Sequence, residues 1–347
     1  MLLEGLHLPL TTPFYPDGRL NLRKLEHNVD RYSRTPISTL VALSQTGEPT
    51  LLTDEETREA LSTVMSVAGE SKVAIAGIGR DSVTATLDLA DFAAMQQYDA
   101  VLIQRPSILQ ELQRREALTY FQSIADRSPL PVVLYSLAAN PLPVDLVAEL
   151  ASHPNVLGLT DESATADRIA SLRSATAHVQ REVTVTHVFA AATGRMLSVK
   201  ASNADATFVA AEILSGGAAL ATAPPRPAIR TRSKNVGFQI VAATSTGMLT
   251  GLRAGATGAM PAFAASAPQA CYEVYAAWKD NDQPLADEKQ TRIAPAIAKT
   301  EQELGIPGIR YASDLTGYFG GRPRLPFLPL TEAQRLEIET VMAGIRH

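Results

Sequence analysis

The chain of 347 residues has one cysteine, Cys271, which excludes an intramolecular disulfide and any zinc site built from several cysteines. It has no run near the ~20 apolar residues that a membrane-spanning helix needs. The opening MLLEGLHLPLTTPF has no basic segment followed by a long apolar stretch, so no signal peptide is expected. Positive charge is not in excess either. Lys plus Arg is 31 against 36 Asp plus Glu, a formal net charge of −5, so a dedicated nucleic-acid binder is not expected. Aromatic residues are only 5%, while 46% of the chain is hydrophobic and 19% charged. That balance supports a sizeable core and argues against wholesale disorder. The expectation is a soluble, cytoplasmic α/β protein.

Short apolar runs alternate with helical stretches. Strands are expected to begin near Leu6, Thr39, Lys72, Ala100, Pro131 and Val156, at steps of 33, 33, 28, 31 and 25 residues. Each step is long enough for a strand, a loop and a crossover helix, and continuous apolar runs suit a parallel sheet buried on both faces. Thr53 followed by Asp54, Glu55 and Glu56 reads as a capping box. Ser82 reads as a second cap, and Pro143 as a first helical residue. After Asp161 and a helix over roughly Ala164–Ala175 the rhythm breaks. The stretch from about Arg181 to Lys234 reads as an insertion, containing FVAAEIL and a basic loop with Arg226, Arg230, Arg232 and Lys234. FAAATGRML from Phe189 and VAATSTGML from Val241 resemble one another. The second is preferred as the seventh strand and its turn, because GATGAMPAF follows at once as an eighth. Beyond Ala264 the pattern is helical. The expected architecture is a (β/α)8 TIM barrel over 1–265, with the insertion at about 181–234, followed by a C-terminal helical domain over 266–347.

TPFYPDGRLN, SQTGEPTLLTDEE, AGIGRDSV, PVVLYS, HPNVLGLTDES and YFGGRPRLPFLPL follow one another in an order that resembles the dihydrodipicolinate synthase / N-acetylneuraminate lyase family of pyruvate-handling aldolases. The resemblance implies a (β/α)8 barrel with a helical extension, a homo-oligomer (dimer or tetramer) and no cofactor; no metal is expected from the residues themselves. It also implies a small carboxylate-bearing partner. In the family a lysine at the end of the sixth strand forms a Schiff base with a 2-oxo acid; here that position is Thr160. A hydroxyl cannot condense with a ketone to an iminium. The family's Gly-Thr-Thr-Gly-Glu loop reads Ser44-Gln45-Thr46-Gly47-Glu48, its relay tyrosine aligns with Ile108, and Tyr135 remains.

By this resemblance Tyr135, Thr46 and Thr160 are the candidate catalytic positions, and Gln45, Gly47, Asn140, Asp161 and Ala243 the candidate substrate contacts. The seven lysines, Lys24, Lys72, Lys200, Lys234, Lys279, Lys289 and Lys299, avoid the C-terminal ends of the expected strands. Asp161 and Glu162 offer two adjacent carboxylates for acid–base work or a divalent ion. The six histidines have no metal-ligand spacing, and Gly77-Ile78-Gly79 lacks the third glycine of a phosphate loop. Three functions remain open: a binding protein or pseudoenzyme that has lost the Schiff-base step, an aldolase or hydro-lyase using other groups, and a scaffold.

Overall fold

In the computed structural model, residues 1–109, 113–188, 190–198 and 230–345 are described. The first six strands are β1 (Gly5–Pro9), β2 (Thr39–Ala42), β3 (Val73–Gly77), β4 (Ala100–Gln104), β5 (Val132–Ser136) and β6 (Val156–Asp161). Next come β7 (Arg181–Thr186) and β8 (Thr231–Val236), an antiparallel hairpin by itself, and then β9 (Gln239–Ala242) and β10 (Gly258–Ala259). Strands β1 to β6, β9 and β10 close a parallel eight-stranded barrel in sequence order, with β10 returning to β1. Every expected barrel strand starts within three residues of its observed start.

Helices α1 (Leu22–Ser33), α2 (Asp54–Val67), α3 (Val83–Met95), α4 (Arg114–Ala125), α5 (Val144–Ala151), α6 (Ala166–Ala175) and α7 (Met248–Arg253) follow barrel strands. The Thr53 hydroxyl accepts the Glu56 N–H at 3.2 Å while Glu56 accepts the Thr53 N–H at 3.0 Å, so the capping box forms. Ser82 caps α3. Pro143 sits one position earlier than expected, as the residue before α5. Along the strands Leu8, Leu40, Ala74, Val101, Leu134 and Ile240 pack outward against the helices. Val41, Ile75, Leu102, Val133 and Val241 fill the barrel interior. This two-sided burial is why the strands read as unbroken apolar runs.

The hairpin lies at the end where strands begin. Arg181 donates to the Ala151 and His153 carbonyls at 2.7 Å each. Lys234 meets Glu4 at 2.9 Å, and Arg195 meets Asp99 at 3.1 Å. The excursion therefore joins α6 to β9 on the face away from the strand ends that build barrel sites. The described part of the basic stretch, from Thr231, is a strand and not a loop. The described part of FAAATGRML, residues 190–197, lies outside the barrel, with Ala191 bridged to Val185, so the preference for Val241 as the seventh barrel strand holds. FVAAEIL, Lys200 and Arg226 lie outside the described residues.

The C-terminal part comprises α8 (Pro268–Lys279), α9 (Gln283–Ile297), a π-helical turn (Ala298–Glu303), α10 (Gly305–Leu315) and α11 (Glu332–Met342). Ile293, Ile297, Ala312, Ile338 and Met342 join the same apolar cluster as the barrel's outer face. One fully buried guanidinium ties this part to the barrel mouth. Arg310 donates to Glu48 Oε1 at 2.8 Å, and to the Gly320 and Thr12 carbonyls at 2.6 Å each. The Phe14 ring lies between Arg310 and Arg324, whose guanidinium carbons are 5.0 and 4.7 Å from its centroid. Among the described residues no helix is long and apolar enough to cross a membrane.

Candidate functional site

Alternation along the strands decides which side chains reach the barrel mouth. Val133 and Tyr135 face the interior with Val41 and Val241. Thr160 is level with Tyr135 on one side and Val241 on the other, so it shares their layer. Both Tyr135 and Thr160 are buried. Gln104, at the end of β4, accepts a hydrogen bond from the Gln45 side-chain amide at 2.9 Å, closing the β2–β4 side of the mouth.

The Tyr135 hydroxyl donates to Glu162 Oε1 at 2.5 Å, and the Ala138 N–H donates to Glu162 Oε2 at 3.0 Å. Burial and the neighbouring Glu162 charge push the Tyr135 hydroxyl well above its ordinary pKa, against the pull of the Gln45 backbone N–H. Tyr135 is therefore a persistent O–H donor. Burial also raises Glu162, more than the bonds from Tyr135 and Ala138 lower it, and the Asp161 charge adds to the rise.

A second buried carboxylate comes from the C-terminal part. The π-helical turn brings Glu301 to Ser245, just beyond β9, where the Ser245 hydroxyl donates to Glu301 Oε2. Ser245 in turn accepts the Phe263 N–H at 3.2 Å. Burial raises Glu301 above its ordinary pKa, and the charge of Glu162 raises it further. The Glu162 charge thus opposes the ionisation of a carboxyl group that reaches it from a different part of the chain.

The other predicted positions divide. Thr46 is buried in a short 3-10 turn (Gln45–Gly47) after β2. Gly47 serves close packing: its N–H closes the turn onto Ser44 at 2.8 Å, and its carbonyl accepts the Thr12 hydroxyl at 2.7 Å. A Cβ there would lie 3.0 Å from the Leu10 carbonyl oxygen. Ala243 sits beside the mouth, its N–H bonded to the Asp161 carbonyl at 2.8 Å. Asn140 lies on the turn after β5, bridged to Leu137.

Asp161 does not take the place expected of a substrate contact. Its side chain is fully buried against α6, where Oδ2 accepts Arg168 Nε at 2.6 Å and Oδ1 the Ser163 N–H at 3.1 Å. Adjacent strand residues face opposite ways, so placing Thr160 inward turns Asp161 outward. Of the carboxylate pair, Glu162 is the member that reaches Tyr135. Ile108 is largely exposed.

Each described lysine has contacts elsewhere. Lys72 donates to the Thr35 and Ile37 carbonyls at the opposite end of the barrel. Lys234 and Lys279 share Glu4. Lys289 pairs with Glu273 and Lys299 with Glu303 and Glu337. Lys24 lies over the Phe319 ring. Among the described residues no group of three or more His, Cys, Asp and Glu side chains is arranged to hold a metal ion. Glu162 had a partial signal in its position beside the sixth-strand motif. Glu301 had none, since only the folded extension brings it near.

This arrangement defines a (β/α)8 barrel with a polar, hydroxyl-lined mouth at the C-terminal strand ends, where barrels of this kind build small-molecule sites. Residues 2–185 and 228–344 match the dihydrodipicolinate synthetase family, and the chain belongs to that family. The unmatched stretch falls within the excursion between α6 and β9. The 4-hydroxy-tetrahydrodipicolinate synthase of Acidiphilium cryptum is 25% identical over 347 residues, covering 99% of each chain. Among solved structures, a dihydrodipicolinate synthase family protein from Coccidioides immitis superposes with a TM-score of 0.75 at 23% identity, covering 100% of this chain and 98% of the other. The E. coli prophage protein YagE, of the same family and in complex with pyruvate, gives 0.76 at 20% identity over 99% of each chain.

Proposed function

We propose that this protein binds a small 2-oxo acid or sugar acid at the barrel mouth and does so without forming a Schiff base. The observation that carries the reading is Thr160. It is level with Tyr135 at the inward end of β6, the position that the sequence resemblance matches to the family's amine. A threonine hydroxyl can hydrogen-bond a carbonyl but cannot form an iminium. Family membership and the pyruvate in the related YagE structure support a 2-oxo acid as ligand. Thr46, Thr160 and the Tyr135 hydroxyl are the groups we assign to hold it, with Gln45, Asn140 and Ala243 around them.

Borohydride reduction in the presence of pyruvate tests the central point. The expected result is an unchanged protein mass with a thermal shift from at least one 2-oxo acid or sugar acid; a stable adduct would overturn it. We also propose a homo-oligomer, a dimer or tetramer. Leu325, Phe327 and Leu328 lie close together in sequence with exposed side chains, an apolar strip that a second copy would cover. Sedimentation equilibrium should give two or four times the 37.1 kDa chain; a monomer at micromolar concentration would remove this part of the proposal.

A further inference from the structure

Loss of the amine removes the electron sink of an iminium, so any chemistry on a 2-oxo acid must work on the free carbonyl. That requires a base beside the carbon that loses its proton and a donor on the carbonyl oxygen. The end of β6 supplies both in contact. Glu162 Oε1 lies 2.5 Å from the Tyr135 hydroxyl, and Thr160 is level with Tyr135 across the strand pair. Glu162 is fixed by the Ala138 N–H on its other oxygen, so its aim does not depend on the substrate.

We propose that Glu162 and Tyr135 form an acid–base pair that abstracts a proton from the carbon adjacent to the carbonyl of a bound 2-oxo acid, giving its enolate. This rests on the binding reading above. In the step, the C3–H bond breaks and the proton passes to the Glu162 carboxylate. The bonding pair becomes the C2–C3 double bond, and the carbonyl π pair moves onto the C2 oxygen. Tyr135 keeps its proton and turns its hydrogen bond from Glu162, now protonated, to the enolate oxygen. The reverse step returns a proton from Glu162 to C3. No oxidant, reductant or cofactor enters the balance.

The surroundings suit these roles. Burial lifts Glu162 toward the basicity that proton abstraction needs, and lifts Tyr135 so that it stays a donor. A carboxylate base beside a hydroxyl donor in a partly buried site is a general solution for enolisation. Glu301 completes the balance of charge. Burial and the Glu162 charge shift it toward the protonated form relative to a free carboxyl.

The test is proton NMR of pyruvate and 2-oxobutyrate in D2O with the full-length protein, following loss of the C3 proton signal, with saturation-transfer NMR on the same samples to report binding. The wild type should bind and exchange faster than buffer. Glu162→Gln should lower the exchange rate by ~100-fold or more, the usual range for a lost general base. Tyr135→Phe, a second variant in case the first fails to fold, should lower it by at least about tenfold. In Glu162→Gln, saturation transfer should persist. Exchange that survives Glu162→Gln in a folded protein would overturn the assignment. Wild-type binding without exchange would overturn it too, while leaving the binding reading intact. Absence of binding by either 2-oxo acid would overturn the enolisation assignment and reduce the binding reading to its sugar-acid arm.

Discussion

A guanidinium with no exposed surface is tolerable only when its N–H groups find acceptors, and Arg310 spends them on Glu48, Gly320 and Thr12. Burial pushes Glu48 above its ordinary pKa despite this partner. Replacing Arg310 by Met should therefore do more than delete contacts, because it strands Glu48 in the interior. The expected loss is about 3–5 kcal/mol in urea unfolding. Adding Glu48→Gln to Arg310→Met should restore part of it; a single variant as stable as the wild type would contradict the role assigned to the pair. At this scale legibility was uneven. Thr160 and Tyr135 could be placed from their motifs, because strand-end residues keep their order in sequence. The motif gives Asp161 its position along the strand but does not show that Arg168, in the first turn of α6, pairs with it. Nothing in the sequence singles out Arg310, and only the folded extension reveals its burial.

At the scale of elements, the barrel strands were legible because each is buried on both faces and must be apolar throughout. Caps were legible because they depend on neighbours three residues apart, as at Thr53 and Glu56. Strand β8 escaped for the opposite reason. Thr-Arg-Ser-Lys-Asn-Val is mostly exposed and held by its ladder to β7. A two-stranded ribbon with a solvated face needs no apolar alternation, so its composition reads as a loop. The π-helical turn left no sequence signal either, yet it brings Glu301 to Ser245.

Across the whole molecule the two ends of the barrel carry different duties. The C-terminal mouth holds Tyr135, Thr160, Glu162 and Glu301, while the described part of the excursion between α6 and β9 packs at the other end. A buried histidine near that other end sets a global response to acid. His7 lies in β1 with Nε2 2.9 Å from the Leu3 carbonyl, which makes Nε2 the protonated nitrogen of a neutral ring. Burial pulls its pKa down from 6.5 to about 4. Between those values the unfolded chain binds a proton that the folded chain refuses, so this residue makes stability fall as pH drops through that window. The full difference is about 3 kcal/mol. Urea midpoints at pH 7 and pH 4.5 should differ accordingly, and His7→Gln should flatten that difference; an unchanged slope would mean that other groups set it.

A helix also counts phase, each residue advancing about 100° around the axis. The turn at Ala298–Glu303 departs from the α-helical count, and Glu301 owes its heading toward Ser245 to that departure. Dropping one residue between Ala298 and Glu301 would swing the carboxyl group more than a quarter of the way around the axis. The distance along the chain therefore matters as much as the glutamate itself, and a relative could keep the acid yet lose the mouth it serves.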